Sequence, residues 1–233
     1  NSVVLDNGKT LQADMVIMSV GVRPTLQLAK DAGLEIGEAG GLLVNENLQT
    51  SDSDIFAAGD MVEIEQRVNG KKVRIPLAGP ANRQGRIAAE NALGGNHNYK
   101  GALGTSVVRV FDAVAGSTGM SLKQAKAAGI NADAVVVHKE HHTSYYPGAE
   151  NVTVYLVFDK DTGVVLGGQT AGYKGADKRL DVIATAAAAK LTVSEIADID
   201  FAYSPPIGTP NDAMNMAAYA AENKLSGFGP SIL

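Results

Sequence analysis

The sequence predicts an α/β region followed by an α+β region that is built on an antiparallel sheet. In the first region, short apolar runs alternate with helical stretches and glycine-containing turns. From Thr105 onward strand-like stretches come first and helices come last, which is typical of an α+β arrangement. A glycine- and asparagine-rich stretch lies between the two, near residues 95–104. We therefore expect one domain over residues 1–98 and a second over residues 103–226.

The elements of the first region are predicted from its turns and apolar runs. Asn7-Gly8 supplies the positive φ angles of a tight turn and so predicts a hairpin. The continuous apolar run at 15–18 is typical of a strand buried on both faces of a sheet. In order, the predicted elements are a hairpin with strands at 3–5 and 10–11, a strand at 15–18, a helix at 25–32, strands at 42–44 and 55–58, and a helix at 81–92.

The second region is predicted in the same way from caps and alternating stretches. Ser121 is a typical N-cap, and Thr192 with Glu195 forms a capping box, so a helix should begin after each. The turn at 159–163 should join two strands. In order, the predicted elements are strands at 106–111 and 113–117, a helix at 121–128, strands at 134–138, 152–158 and 164–173, and helices at 177–190, after Thr192, and from Thr209 to about Asn223.

Bulk composition limits the possible functions. The 233 residues carry a net charge of -5, with 45% apolar and 19% charged residues, as in an ordinary globular protein. Acids and bases are mixed along the chain, so no basic stripe indicates nucleic acid as a partner. No apolar run reaches the length of a membrane span and no secretory signal pattern is present, so we expect a cytoplasmic protein. Because cysteine is absent, no disulfide, thiolate metal site or thiol chemistry is possible within these residues.

The most specific segment spans residues 50–60 and ends in Gly59-Asp60. An apolar strand would deliver the Asp60 carboxylate to the carboxyl edge of a sheet, where open α/β sheets bind ligands. Gly59 would let a bulky ligand approach the backbone, and a carboxylate can accept hydrogen bonds from sugar-type hydroxyls. Aspartate also commonly caps the turn or helix that follows a strand. The residues alone leave both interpretations of Asp60 open.

Three linked segments resemble the pyridine nucleotide–disulfide oxidoreductase family. Residues 50–60 resemble its second FAD-binding motif, residues 14–24 its strand returning from the NAD domain, and residues 76–85 the start of a long helix that points at the flavin. The resemblance implies a partial FAD/NAD(P)-binding (Rossmann-like) region followed by an α+β dimerisation domain. The implied cofactors are FAD and NAD(P)H, and the implied cofactor-binding residues are Gly59, Asp60, Leu77, Ala78 and Arg23.

In that family the final aspartate of the motif binds the flavin ribitol. The backbone around Leu77 and Ala78 would then face the flavin pyrimidine ring, because a helix N-terminus offers free N–H groups and a partial positive charge. A plain helix start with a proline, which is common, is the alternative for this segment.

The second region resembles the family's dimerisation domain. Its residues 145–149, 175–181 and 202–206 resemble the branch that contains coenzyme A–disulfide reductases and NADH oxidases. In coenzyme A–disulfide reductases two tyrosines of the partner subunit assist reduction of the disulfide, and the matching residues are Tyr145 and Tyr203. A phenol can donate a proton to a departing thiolate, which suits a catalytic role. The alternative is that each tyrosine packs at a turn with its hydroxyl satisfied locally.

Two further clusters carry charge or metal-binding side chains. On a strand, His138 and His142 would share a face while His141 points away, and no carboxylate or cysteine completes a ligand set, so we expect no metal site. Lys178 and Arg179 could attract an anionic group of coenzyme A, or could form solvated ion pairs with neighbouring aspartates.

Taken together, the residues and the resemblance predict the C-terminal part of a FAD-dependent NAD(P)H oxidoreductase that reduces a disulfide- or persulfide-type acceptor, such as coenzyme A disulfide. The alternatives are an NADH oxidase or peroxidase, and, for the isolated chain, a non-catalytic dimerisation module. The family's glycine-rich FAD and NAD(P)H motifs and its redox cysteine do not occur in these residues. We therefore expect the isolated chain to bind FAD poorly and to be inactive. The resemblance also implies a homodimer with a small thiol or disulfide substrate.

Overall fold

The computed structural model describes residues 1–228 of the chain. In the first region, β1 (Ser2–Val4) and β2 (Thr10–Gln12) form the antiparallel hairpin predicted around Asn7-Gly8. The remaining elements of this region are α1 (Gln27–Asp31), β3 (Leu42–Leu43), β4 (Val62–Glu65), β5 (Lys72–Val73) and α2 (Ala78–Ala92). Strand β4 pairs in parallel with β3 and antiparallel with β5.

Helix α2 covers the small sheet of the first region. Val62 and Ile64 of β4 are almost fully buried and belong to the same apolar cluster as Ala88 of α2. Leu48, also fully buried, completes this cluster from the preceding loop. The predicted α/β character of this region is confirmed, since β3 and β4 pair in parallel, β4 shares an apolar cluster with α2, and Leu42 of β3 shares another with Ala29 of α1.

Two strands predicted in the first region are wrong. Residues 15–18 form no strand, and their side chains are 57–84% exposed. A strand that is buried on both faces needs neighbouring strands, and residues 1–228 pair none with this segment. Residues 55–58 are also irregular and make a single bridge, between Phe56 and Gln49. They still run beside residues 48–50, since the Ala57 N–H donates to the Leu48 carbonyl at 3.0 Å.

The second region is a five-stranded antiparallel sheet with helices, as predicted. Its strands are β6 (Ser106–Val110), β7 (Ala113–Gly119), β8 (Ala132–Glu140), β9 (Asn151–Asp159) and β10 (Val165–Gly172). They lie in the order β6-β7-β10-β9-β8, and all four neighbouring pairs are antiparallel. The helices are α3 (Leu122–Ala127), α4 (Ala176–Ala189), α5 (Val193–Ala197) and α6 (Ala213–Leu225).

Side chains along each strand alternate between the two faces of this sheet, and the apolar residues on each face belong to a separate core. Val154 and Leu156 of β9 face the larger core, which α4, α5 and α6 cover. Val157 of the same strand faces the smaller core beside α3. The N-cap expected at Ser121 and the capping box expected at Thr192 are confirmed, and Ser121 also forms a capping box with Gln124. The last helix begins later than predicted, because Asp212, and not Thr209, accepts the first free N–H, from Met214, at 3.1 Å.

The segment between the two regions is packed against the first one. The Ala102 N–H donates to the Glu65 carbonyl at 3.0 Å, and the Arg67 N–H donates back to Ala102 at 3.1 Å. A side-chain contact also joins the regions, since Arg67 Nη2 donates to the Ala188 carbonyl of α4 at 3.2 Å. The segment that connects the two regions is therefore held by hydrogen bonds. The domain limits 1–98 and 103–226 stay a prediction.

Candidate functional site

Asp60 sits on an exposed turn at the end of the 50–60 segment. The turn closes where the Val62 N–H donates to the Gly59 carbonyl at 3.2 Å, just before β4. The Asp60 side chain is exposed and makes no hydrogen bond or ion pair within residues 1–228. It is neither packed in the interior nor used as a helix cap, so its carboxylate is free to accept hydrogen bonds from a ligand.

A buried glutamine fixes this turn to α2. Gln84 is 1% exposed, and its Oε1 accepts the Gly59 N–H at 2.7 Å. Gly59 has a φ of 92°, a left-handed conformation that favours glycine, and an added Cβ would meet no atom within 4 Å. The backbone next to Asp60 is therefore held by a hydrogen bond to a buried side chain, while the space beside Gly59 Cα is open to a ligand.

The N-terminus of α2 is uncapped and exposed. Leu77, the N-cap, has an extended backbone, and no side chain accepts a hydrogen bond from the helix start. Proline at position 80 has no N–H, and the Ala81 N–H already donates to the Leu77 carbonyl at 3.1 Å. The backbone donors left at the helix start are thus those of Ala78 and Gly79. Such a pair of N–H groups, together with the helix dipole, favours an anionic or electron-rich group.

Leu77 also borders a crevice of about 630 Å³ between the two regions. Lys71 and Arg74 line it from the first region, and Ser117 and Met120 line it from the second. The turn of Asp60 contacts α2 through the hydrogen bond between Gly59 and Gln84, and Ala58 and Ile75 pack on the same apolar cluster. The structure does not add Arg23 to this group: its side chain is exposed and makes no hydrogen bond within the described residues.

The two predicted tyrosines lie together on neighbouring loops, although 58 positions separate them in the sequence. Their side chains are 72% exposed at Tyr145 and 45% exposed at Tyr203. A hydrogen-bonding interaction with the Tyr145 side chain, and to a smaller degree burial, raises the pKa of Tyr203 above 10.0. Among the described residues no hydroxyl–hydroxyl hydrogen bond of standard geometry joins Tyr145 and Tyr203, so their interaction is weaker than such a bond. Two phenols therefore face solvent side by side.

Residues that the sequence did not single out hold these two loops. Thr143 Oγ1 donates to the Pro205 carbonyl at 2.9 Å and so links the loop of Tyr145 to the loop of Tyr203. The expectation that Arg179 forms a solvated ion pair is wrong, since it is 1% exposed and pairs with buried Asp212 through two hydrogen bonds. The only sequence signal for this pair was that Asp212 precedes a helix, and this signal does not indicate which residue pairs with the aspartate.

The three histidines near residue 140 each have a separate partner. His138 Nδ1 lies 2.8 Å from Thr153 Oγ1, His141 Nδ1 lies 3.1 Å from the Glu150 carbonyl, and His142 Nδ1 lies 3.0 Å from the Thr143 carbonyl. Burial lowers the pKa of His141, which keeps the ring neutral at neutral pH. Among residues 1–228 no group of three or more His, Asp or Glu side chains is arranged to hold a metal ion.

Comparisons with known proteins match both regions. The model of the pyridine nucleotide-disulphide oxidoreductase family matches residues 1–85, and that of its dimerisation domain matches residues 105–214. A coenzyme A disulfide reductase of Staphylococcus epidermidis is 32% identical over 95% of this chain and 50% of its own length. An NADH oxidase of Methanocaldococcus jannaschii is 34% identical over 94% of this chain and 49% of its own length.

The fold is shared with solved structures as well. The crystal structure of reduced Bacillus anthracis CoADR-RHD superposes with a TM-score of 0.92 at 45% identity, covering 99% of this chain and 42% of that one. The chain spans about half the length of the curated relatives it matches. The two family models match successive parts of one chain in the order that the structure shows. The chain therefore belongs to the pyridine nucleotide–disulfide oxidoreductase family.

Proposed function

We propose that this chain supplies the flavin-contacting turn and helix, and the dimerisation domain, of a FAD-dependent NAD(P)H oxidoreductase that reduces a disulfide or persulfide such as coenzyme A disulfide. The observation that carries the choice of acceptor is the exposed pair of phenols, Tyr145 and Tyr203, on adjacent loops. One relative of this chain is a coenzyme A disulfide reductase, which supports the same class of acceptor.

The residues of the first region fit a flavin. Asp60 is a free carboxylate that could accept hydrogen bonds from the ribitol hydroxyls, and Gly59 beside it leaves room for the ligand. The N–H groups of Ala78 and Gly79 at the start of α2 would face the electron-rich edge of the ring system. FAD, when bound, would carry electrons from NAD(P)H to the sulfur acceptor. Arg23 remains a proposed contact only through the family resemblance.

The tyrosines suit the reduction of a disulfide. When a thiolate attacks a disulfide, a new S–S bond forms, the old one breaks, and one sulfur leaves as a thiolate, to which a neutral phenol close by can donate a hydrogen bond or a proton. A tyrosine is protonated throughout the neutral range at its ordinary pKa of about 10, and the raised pKa of Tyr203 leaves it in that state, which is the one that can donate. Because cysteine is absent from the chain, the thiol that would react with the acceptor must come from outside these residues.

A homodimer of cytoplasmic location belongs to the same proposal. The match to a dimerisation domain over residues 105–214 supports the dimer. Within residues 1–228 no helix combines the length and the apolar character that a membrane crossing requires. In a two-fold dimer the exposed tyrosines of one protomer could serve the flavin site of its partner.

An NADH oxidase or peroxidase is the second candidate, and an NADH oxidase is among the relatives. When oxygen or peroxide is reduced, no thiolate departs from an acceptor disulfide and none needs a proton donor. Removing a phenol should therefore distinguish a disulfide reductase from an oxidase or peroxidase. We would replace Tyr145 or Tyr203 with phenylalanine in the complete gene product. Flavin reduction by NAD(P)H would be followed by stopped-flow absorbance, and turnover would be measured with coenzyme A disulfide and with oxygen.

We expect each substitution to lower kcat with coenzyme A disulfide by about 100-fold while flavin reduction stays unchanged, because general-acid catalysis contributes on that order. Tyr146→Phe is the matched control, since that tyrosine is also exposed but packs its ring edge-on against His142, with centroids 5.7 Å apart. Unchanged turnover of coenzyme A disulfide in both variants would remove the tyrosines from the reaction, and turnover of oxygen without turnover of coenzyme A disulfide would favour an oxidase. A colourless complete gene product would favour a non-catalytic dimerisation module.

A further inference from the structure

The buried side chain of Arg179 contacts the ends of both loops that bear the two tyrosines. It lies in the first turn of α4 and is 1% exposed. Its Nε donates to Asp212 Oδ1 at 3.0 Å and its Nη2 donates to Asp212 Oδ2 at 2.5 Å, so the pairing is bidentate. The same Nη2 donates to the His141 carbonyl at 3.0 Å, and Nη1 donates to the Gly175 carbonyl at 3.2 Å. One guanidinium thus contacts three separate segments.

Two of those segments lead directly to the tyrosines. His141 begins the loop that carries Tyr145, and Asp212 ends the loop that carries Tyr203 and starts α6. The loop before Asp212 is folded by its own turn, since the Ile207 and Gly208 N–H groups both donate to the Ser204 carbonyl. Its position therefore follows the position of its anchored end.

We propose that the Arg179–Asp212 pair is a positioning device that sets the spacing of Tyr145 and Tyr203 by holding both loops to α4. The inference rests on the proposed function, because the spacing of the phenols matters only if they act together on an acceptor. Neither Arg179 nor Asp212 touches the acceptor, since both side chains are buried.

The chemistry of the pair suits positioning better than stabilisation. A buried ion pair gains little net stability, because removing both charges from water costs as much as their attraction returns. The planar fork of arginine fixes both the distance and the direction of a carboxylate, which a lysine ammonium does not. Four directed hydrogen bonds from one rigid group therefore define where two loops sit relative to each other.

The test measures the spacing directly, by oxidative dityrosine cross-linking in the complete gene product. All variants are made in a Tyr146→Phe background, so that a cross-link at the first loop is assigned to Tyr145. A ruthenium photo-oxidant generates tyrosyl radicals, and peptide mass spectrometry of the monomer band quantifies the bond between Tyr145 and Tyr203. We would compare Arg179→Lys, which keeps the charge but loses the fork, with Thr143→Val, which removes the separate tie to Pro205.

The control is Lys224→Met. It breaks another ion pair of this region, to Asp133 at 2.7 Å, which lies at the opposite end of β8 from His141. We expect Arg179→Lys to reduce the cross-link severalfold and to lower turnover of coenzyme A disulfide by about tenfold or more, since small misplacements of reacting groups are costly. Lys224→Met should change neither quantity.

The outcomes separate this inference from the proposed function. A folded Arg179→Lys variant with an undiminished cross-link overturns the positioning role. A reduced cross-link with full turnover supports the positioning role and instead removes the tyrosines from the proposed reaction. Should Arg179→Lys fail to fold, the Thr143→Val variant decides. In that variant the Arg179 guanidinium would still hold both loops, so the inference requires the yield of the Tyr145–Tyr203 cross-link to stay within about twofold of the parent. A loss of cross-link as large as that expected for Arg179→Lys would contradict the inference.

Discussion

Single buried polar side chains hold the exposed groups of this molecule in place. Gln84 accepts a backbone N–H at the turn of Asp60, and Arg179 fastens the loops of both tyrosines. Glu63 works in the same way in the first region, where its buried carboxylate accepts the Gly41 N–H at 2.9 Å. Polar groups that are buried with their partners cost little and specify one geometry. Reactive side chains can therefore sit on loops without losing a defined position.

Asp60→Asn should weaken FAD binding by the complete gene product. The amide loses the negative charge and can accept at only one oxygen, and a hydrogen bond to a charged group contributes about 1.5–3 kcal/mol. We expect the FAD dissociation constant to rise about 10- to 100-fold, as measured by titrating the apoprotein with FAD. Asp54→Asn on the same exposed segment is the matched control and should leave the affinity unchanged. An equal effect of both substitutions would remove Asp60 from the flavin site.

Tyr145→Phe should lower the pKa of Tyr203 back toward 10.0, because the hydrogen-bonding interaction with Tyr145 is the main cause of the increase. The sign follows from the protonated form being the one favoured in the folded state. The stabilisation is present below the ordinary tyrosine pKa and is lost as the pH rises through the raised value. Ultraviolet difference absorbance of phenolate, or NMR of labelled tyrosine, would follow the titration. Tyr146→Phe should leave it in place, and an unchanged Tyr203 in Tyr145→Phe would show that the phenols do not interact.

The sequence located exposed site residues better than their supports. Asp60 and the helix start at Leu77 were singled out by the resemblance of residues 50–60 and 76–85 to family motifs, since the residues alone left the role of Asp60 open and placed the helix at 81–92. Gln84 and Arg179 could not be predicted as supports, because their partners lie 25 and 33 positions away. A glutamine or arginine in a helix has the same local pattern whether it faces solvent or a buried acceptor.

At the scale of elements, local helix caps and the strands of the second region were predicted correctly, and the strands of the first region were predicted less well. An N-cap or a capping box is complete within four residues, so the N-cap of α3 at Ser121 and the capping box of α5 at Thr192 were predicted correctly. Strands depend on partners elsewhere in the chain, and the apolar run at 15–18 finds none within residues 1–228. Residues 106–110, with similar apolar content, do form a strand because β7 lies next to them. Pairing, rather than composition, decided the difference.

Gly175→Ala should destabilise the second region more than an equivalent change elsewhere. Gly175 is the N-cap of α4 with a φ of 71°, and an added Cβ would lie 2.2 Å from Arg179 Nη1. Gly129 has a similar φ of 81°, and a Cβ there would meet nothing within 4 Å. Gly129→Ala therefore isolates the backbone cost, about 1–2 kcal/mol, while Gly175→Ala adds displacement of the guanidinium. The free energy of unfolding from urea denaturation would compare them, and equal losses would contradict the close approach.

At the scale of the whole molecule, two apolar surfaces are left uncovered. Six large apolar side chains between residues 15 and 22 are 57–84% exposed, and in the second region Val107, Val108, Val110 and Phe111 are 56–93% exposed. Exposed apolar side chains grouped in this way mark sites of further association. The first surface lies in the region matched by the cofactor-binding family model and the second in the dimerisation match. Neither could be recognised as exposed from the sequence, because an apolar run alone predicts burial.

A two-fold dimer of the 233-residue chain is the prediction that belongs to this scale. Association through the dimerisation domain would give a mass of twice 24.1 kDa in light scattering. It would also make the unfolding temperature rise with protein concentration, because mass action stabilises an associating native state. The second measurement matters because light scattering at one concentration does not show that association is linked to folding. A monomer mass with an unfolding temperature independent of concentration would mean that these residues do not suffice for the dimer. The exposed valines and Phe111 of the second region would then need another explanation.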